Sequence, residues 1–400
     1  MLLLISPVFW IAFSGCLSVD LTEQEQAVIL RMIRAEKPDL DSTNQWDGKA
    51  DAIAFGESLF FSTELSEEGI SCATCHDPDL GFSDGASLST GVGTTARHSP
   101  HLYNVGFQNW FFWDGRCDSL WCQAIGPLES DIEMATSRTQ IGLQIANNNV
   151  LKSQYEGIFG TLPDMSQWIE GAKPSNNSDV QAQWDAMTED DQYNSTEVMV
   201  NIAKSIAAYE ATIVSAPAPI DDFLLQFQDS PKEAMHNLSP MEEYGLRLFI
   251  GEGQCHLCHS GSNFSNGEFH NLGLGTRDYL SDIDTGRYEG ISKLIESPFN
   301  SAGLWSDDPT GDRAKRLDRL IQSTEQLGQF KTPSLRNLGQ TAPYMHGGQL
   351  ASLAEVLHFY ANPDQEAAIQ GHRSELLQPL NWGHHEIHSL MAFLDMLNED

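Results

Sequence analysis

Positive charge is scarce in this chain. Lys and Arg number 22 against 56 Asp and Glu, a formal net charge of −34 over 400 residues. That imbalance argues against general binding to nucleic-acid phosphates or anionic membrane surfaces and favours small basic protein partners. An acidic surface also serves solubility in a salty environment, and salt dependence separates the two roles. Sustained strand alternation is equally rare, whereas apolar residues recur at helical spacing around Ile141 to Val150 and Val198 to Ile213. This pattern predicts a mostly α fold.

A long apolar run is missing as well. Met1 to Gly15 is apolar but shorter than the about 20 residues of a membrane span, so residues 1–16 read as an export segment ahead of a periplasmic body. The "FSGC" at its end is similar to a lipoprotein cleavage signal, although Phe13 is atypical there and no Lys or Arg precedes it. A soluble protein and one tethered by a lipid anchor at Cys16 both stay open.

With 40% hydrophobic residues the chain can bury substantial cores, yet it is long for one compact unit, so two domains are expected. The two prolines of "SAPAPIDDF" interrupt a helical pattern and place the boundary near residues 215 to 223. The N-terminal domain is assigned to 21–218 and the C-terminal domain to 219–400. The polar stretch from Ala172 to Asn194 reads as a surface insertion. Trp305 to Arg313 reads as a decoration of the later domain, and Glu386 to Leu397 as a helix able to pack across either one. "GESLFFSTELS" and "YGLRLFIGEGQ" repeat a Leu and Phe spacing ahead of similar chemistry, the mark of an internal duplication.

That chemistry is carried by cysteine and histidine. Cys72, Cys75 and His76 form one Cys-x-x-Cys-His, and Cys255, Cys258 and His259 form another. The spacing suits c-type haem attachment, in which two thiols bond the porphyrin vinyl groups and the adjacent His reaches the iron. Zinc would need a fourth ligand at each motif, and dithiol redox chemistry would need no following His in duplicate. Two covalent haems are therefore expected. Of the remaining cysteines, Cys117 and Cys122 are five residues apart; in regular helix their Cα atoms would stand roughly 8 to 9 Å apart, beyond disulfide reach. A bond there requires a loop or distorted turn, and two free buried thiols are the alternative.

The ordered pieces "SCATCH", "RHSPHLYN", "FFWDGR", "QAIGP", "EM", "CHLCH" and "LRN…TAPYMHGG" resemble the bacterial di-haem cytochrome c peroxidase and MauG superfamily over most of the sequence. The resemblance implies an all-α fold of two cytochrome-c-like domains, each with one covalent c-type haem, and a calcium ion near their interface. It implies peroxide chemistry at the first haem and electron storage or entry at the second. Trp113 matches the aromatic residue between the haems, although an arbitrary Trp more often anchors packing. Gln123, Pro127 and Glu133 match the peroxide side of the first haem. Glu133 is the acid–base candidate, because O–O cleavage needs a proton moved between oxygens; out of this context it would read as an ordinary exposed carboxylate.

Three features depart from the peroxidase pattern. The loop from Asp77 through Ala96 has no His, where classical peroxidases often carry a distal ligand; the first haem is thus expected five-coordinate. His98 stands where the calcium region usually has Asn, beside the matching Thr341 and Pro343. Fourteen residues after His346 comes Tyr360 (360 − 346), where classical peroxidases have Met and MauG-like enzymes Tyr. A phenolate should stabilise oxidised iron better than a thioether. Tyr360 packed in a core is the alternative, and His358 the competing ligand. Three functions follow: a MauG-like oxidase using hydrogen peroxide on Trp or Tyr of a protein substrate, a cytochrome c peroxidase fed by a small redox protein, and a di-haem electron carrier.

Overall fold

The computed structural model describes residues 20–274, 284–363 and 371–399; the expected export segment and Cys16 lie outside them. The helices are α1 Glu23–Leu30, α2 Ala50–Phe60, α3 Cys72–Cys75, α4 Leu120–Glu129, α5 Arg138–Asn147, α6 Asn149–Phe159, α7 Ser178–Asp185 and α8 Glu189–Glu210, then α9 Pro219–Asp229, α10 Pro231–Asn237, α11 Pro240–Ile250, α12 Arg287–Glu296, α13 Asp312–Leu317, α14 Leu353–Ala361 and α15 His384–Asp395. Two short strands, β1 Phe269–His270 and β2 Phe330–Lys331, pair antiparallel. No described helix is long and apolar enough to cross a membrane.

Two hydrophobic cores are present, and the same close crossing of two helices builds each. At Gly56 of α2 a Cβ would fall 1.9 Å from the Ser205 carbonyl oxygen of α8; at Gly245 of α11 it would fall 2.0 Å from that of Ser389 in α15. Only glycine lets the two backbones approach so closely. Around the first crossing gather Phe55, Leu59, Trp121, Ile125, Met199 and Ile202. Around the second gather Phe223, Leu246, Phe249, Leu390 and Phe393. Thus α15, the helix expected at the C-terminus, packs in the second core. Ile29 of α1 and Met32 just beyond it are also buried there, which carries the start of the chain across the expected boundary at 218/219. Pro219 opens α9 at its first position, where a missing N–H costs nothing.

Two expectations are corrected. The polar stretch from Ala172 to Asn194 is not merely a surface insertion: Asn177 and Thr188 cap α7 and α8, and Trp184 and Met187 are buried in the first core. Its apolar anchors are too few for a visible period, and the caps were the signal available. Trp305 to Arg313 does not decorate the later domain. Lys204 binds Asp307 at 2.7 Å, the Gln45 amide donates to Asp307 at 2.7 Å, and Trp305 lies 4.9 Å from Tyr193 between ring centroids. These pairings join residues far apart in sequence, so local composition cannot reveal them.

Candidate haem cavity

The single helical turn of α3 begins at Ser71, whose amide and hydroxyl both bond the Thr74 hydroxyl, at 3.1 and 3.3 Å. It delivers Cys72, Cys75 and His76 to one wall of a cavity of about 1100 Å³; Cys255, Cys258 and His259 line another part of it. The His76 Nδ1 lies 3.1 Å from the Phe82 carbonyl oxygen and the His259 Nδ1 3.0 Å from that of Phe264. Phe82 and Phe264 both adopt left-handed backbone, φ 56° and 50°, which turns each carbonyl onto its imidazole. A proton held on Nδ1 leaves the Nε2 lone pair for a metal. Burial also lowers both imidazole pKa values, His259 to about 4, so both stay neutral and able to ligate.

Burial raises all four motif thiols, Cys75 to about 11 and Cys255 to about 12. None is a ready thiolate, which disfavours dithiol redox chemistry. Nor do three or more His, Cys, Asp or Glu side chains converge as a metal site among the described residues, as zinc would require. Cys117 and Cys122 are bonded, with Cα atoms 5.7 Å apart. Cys117 lies ahead of α4 and pairs with Phe111 in an isolated bridge, so helical spacing does not govern this pair.

The cavity has polar atoms available to a bound group. Among buried side-chain atoms without a hydrogen-bond partner are Ser89 Oγ, His101 Nδ1, Gln123 Oε1, Glu210 Oε2, His270 Nε2 and Trp382 Nε1. All six belong to residues lining this cavity. Buried polar atoms are rarely left unpaired; a bound group with polar edges, together with water, would complete these six. Glu210 stands out, because burial alone raises its carboxyl to about 8.

The expected reactive residues line the same cavity. Gln123 and Pro127 lie on α4, Glu133 follows it, and Trp113, Tyr360 and Cys258 complete the lining. The Glu133 carbonyl accepts from Val92 at 3.0 Å, and Gly91 leaves it room, since a Cβ there would come within 2.4 Å. The Trp113 indole N–H donates to the His98 carbonyl at 2.9 Å. Tyr360 is partly buried at the cavity wall, and burial with the nearby Cys255 and Cys258 raises its phenol pKa. His358 points to solvent as an exposed residue outside the lining.

The calcium set is weaker. The His98 ring bonds the Ala86 carbonyl at 2.8 Å and its own carbonyl already serves Trp113. His98, Thr341 and Pro343 bring no carboxylate, a poor match to a cation that takes six to eight oxygens.

The two halves of the cavity are copies. Asn104 and Asn337, both at φ 60°, open equivalent 3-10 turns. Phe111 bridges Cys117 as Tyr344 bridges Leu350. Ser119 caps α4 as Ser352 caps α14. Every one of these pairs is 233 residues apart (337 − 104, 352 − 119). By the same count Trp113 corresponds to His346, His98 to Lys331, and Pro127 to Tyr360. The His98 amide donates to the His346 carbonyl at 2.9 Å and the Lys331 amide to the Trp113 carbonyl at 2.8 Å, so the halves exchange equivalent bonds. Sequence reasoning missed Lys331, His101, Glu210 and Trp382; the 233-residue repeat was the available signal for the first.

Residues 50–229 match the family model described as di-haem cytochrome c peroxidase. The chain is 30% identical over 362 residues to cytochrome-c peroxidase IdrP2 of Denitromonas iodatirespirans, covering 88% of this chain and 82% of that protein. It is 28% identical to the methylamine utilization protein MauG of Methylorubrum extorquens, covering 87% and 78%. Its fold is similar to that of a MauG-like protein associated with microbial copper homeostasis, with a TM-score of 0.61 at 23% identity over 92% of this chain and 94% of the other.

Proposed function

Because the chain belongs to the di-haem cytochrome c peroxidase and MauG superfamily of enzymes, we propose that it is a MauG-like oxidoreductase that uses hydrogen peroxide to oxidise Trp or Tyr of a partner protein. The observation that carries this reading is the pairing of Tyr360 with Pro127 at equivalent places of the two half-cavities. With His259, Tyr360 would offer its phenol oxygen to the second haem, whereas Pro127 would offer no ligand to the first beside His76.

When bound, the haems supply iron that takes up two oxidising equivalents from peroxide. The chain provides the rest. Gln123, with its Oε1 buried and unpartnered, orients peroxide through its amide. Glu133 accepts a proton from the nearer peroxide oxygen at its carboxylate and returns it to the leaving oxygen as water. The two electrons that complete the reduction come from the partner's aromatic side chain, by way of the second half-cavity and Trp113. Incubation of the holoenzyme with peroxide and candidate exported partners, followed by mass measurement of Trp and Tyr, tests the reading. Rapid peroxide-driven oxidation of a small cytochrome with every partner unmodified would replace it by the cytochrome c peroxidase reading, which the acidic surface and the similarity to IdrP2 favour.

A further inference from the structure

Among the described residues four Lys and Arg side chains line the cavity: Arg97, Arg116, Lys293 and Lys331. Three have carboxylate partners. Arg97 binds Asp114 at 2.7 Å and Asp284 at 2.8 Å, Arg116 binds Asp114 at 3.1 Å, and Lys293 binds Glu289 at 2.8 Å. Lys331 is different. Among the described residues its Nζ donates to neutral oxygens only, Gln108 Oε1 and, at 3.0 Å, the Trp110 carbonyl. Burial pushes its ammonium down to about 7. The titratable group nearest it in effect, His101, is itself held neutral, with a pKa of about 4 and an unpartnered Nδ1.

Lys331 is partly buried, and an ammonium drawn out of water without an anion is costly: proteins supply a counter-charge or let the proton go. In a chain carrying a net charge of −34, a lysine at this place with no carboxylate is a socket for an anion that the folded chain lacks. We propose that Lys331 is the counter-ion of a haem propionate where the two half-cavities join. The cysteines would take the vinyl edge of each macrocycle, which would leave its two carboxylates on the far edge. Lys331 is tied to that join by its amide bond to the Trp113 carbonyl, and His98, its equivalent in the first half, is spent on Ala86. The duplication has thus kept the cation in one copy alone. This inference rests on the chain holding its two haems, but not on its substrate.

The test uses the holoenzyme with Lys331→Met and Lys331→Arg, read by spectroelectrochemical titration of both haems and by the propionate bending bands in resonance Raman. Loss of a nearby positive charge stabilises ferric iron. Lys331→Met should therefore lower the midpoint of one haem, leave the other in place and shift one propionate band towards its unbonded position. Lys331→Arg should keep the midpoint near that of the parent. The haem whose midpoint moves owns the propionate. Fully loaded Lys331→Met with both midpoints and all bands unchanged overturns the proposal and leaves Lys331 a neutral amine. Should Lys331→Met fail to load haem, Lys331→Arg decides, since replacing ammonium by guanidinium moves the band of a bonded propionate and an unmoved band overturns it. Both readouts need no substrate protein, so failure to find a partner leaves this result standing. A haemochrome assay without haem would remove both readings.

Discussion

Pro127 and Tyr360 each stand eight residues after the serine that caps their helix, Ser119 in α4 and Ser352 in α14 (127 − 119, 360 − 352). One repeat unit thus presents a ring without a donor, the other a phenol. Pro127→Tyr should give the first haem a sixth ligand. We expect its high-spin ferric signal to disappear and its peroxide reaction to be lost, with both haems still attached. Electron paramagnetic resonance and stopped-flow absorption check this; an unchanged high-spin signal means that the two positions are not equivalent.

Tyr360→Phe should abolish the original coordination of the second haem and lower the yield of the doubly oxidised state. His358, exposed and outside the cavity lining, makes the control: His358→Ala should leave the spectrum unaltered. Parent-like second-haem coordination in Tyr360→Phe would reject ligation by the phenolate.

Glu133→Gln removes the proton carrier while preserving shape. General acid–base groups contribute about 10²- to 10⁴-fold, so peroxide consumption should slow by that order with haem content unchanged. Turnover equal to the parent's would defeat the assignment.

Glu210 supplies the pH dependence. Its carboxyl is raised by burial to about 8 from an ordinary 4.5, so the folded state binds a proton that the unfolded state has released. Its contribution is fully present below about pH 4.5 and is lost as pH rises towards 8. Glu210→Gln should flatten this decline, and the two proteins should diverge across that window in thermal unfolding. Parallel pH profiles would show that Glu210 ionises inside the fold.

The helix crossings predict stability. Gly56→Ala and Gly245→Ala each place a methyl about 2 Å from a backbone carbonyl, where no flexible side chain can yield. Overpacking of this kind costs about 1 to 3 kcal/mol or more, and urea unfolding should register the loss in both variants.

Much of this was legible in the sequence for a physical reason. Covalent haem attachment demands contiguous cysteines and histidine, so Cys72 to His76 and Cys255 to His259 declare themselves. Gly56 and Gly245 sit in the repeated "GESLF" and "GLRLF", and the helical character of α8 follows from its apolar period. What stayed hidden depends on distant partners. Ile29 and Met32 show an ordinary helix face and give no sign of which core they enter. Asp307 meets Lys204 only after folding, and Lys331 looks like any surface lysine until its burial and lack of a carboxylate are seen. Whether Cys117 and Cys122 are bonded stayed open, because it turns on the chain bending ahead of α4, which the spacing alone does not show.

The reciprocal backbone hydrogen bonds, His98 to His346 and Lys331 to Trp113, have the form of an isologous interface, in which residue i of one subunit meets j of the other and j meets i. A symmetric homodimer must apply every substitution twice. Joined in one polypeptide, the two copies are free of that constraint: one keeps proline where the other has tyrosine, one keeps histidine where the other has lysine. Asymmetry between two iron sites, which identical subunits can reach only by conformational means, becomes a heritable difference between codons. Expressing the halves as separate chains that reassociate through these same bonds would restore the symmetric contact while leaving that asymmetry intact.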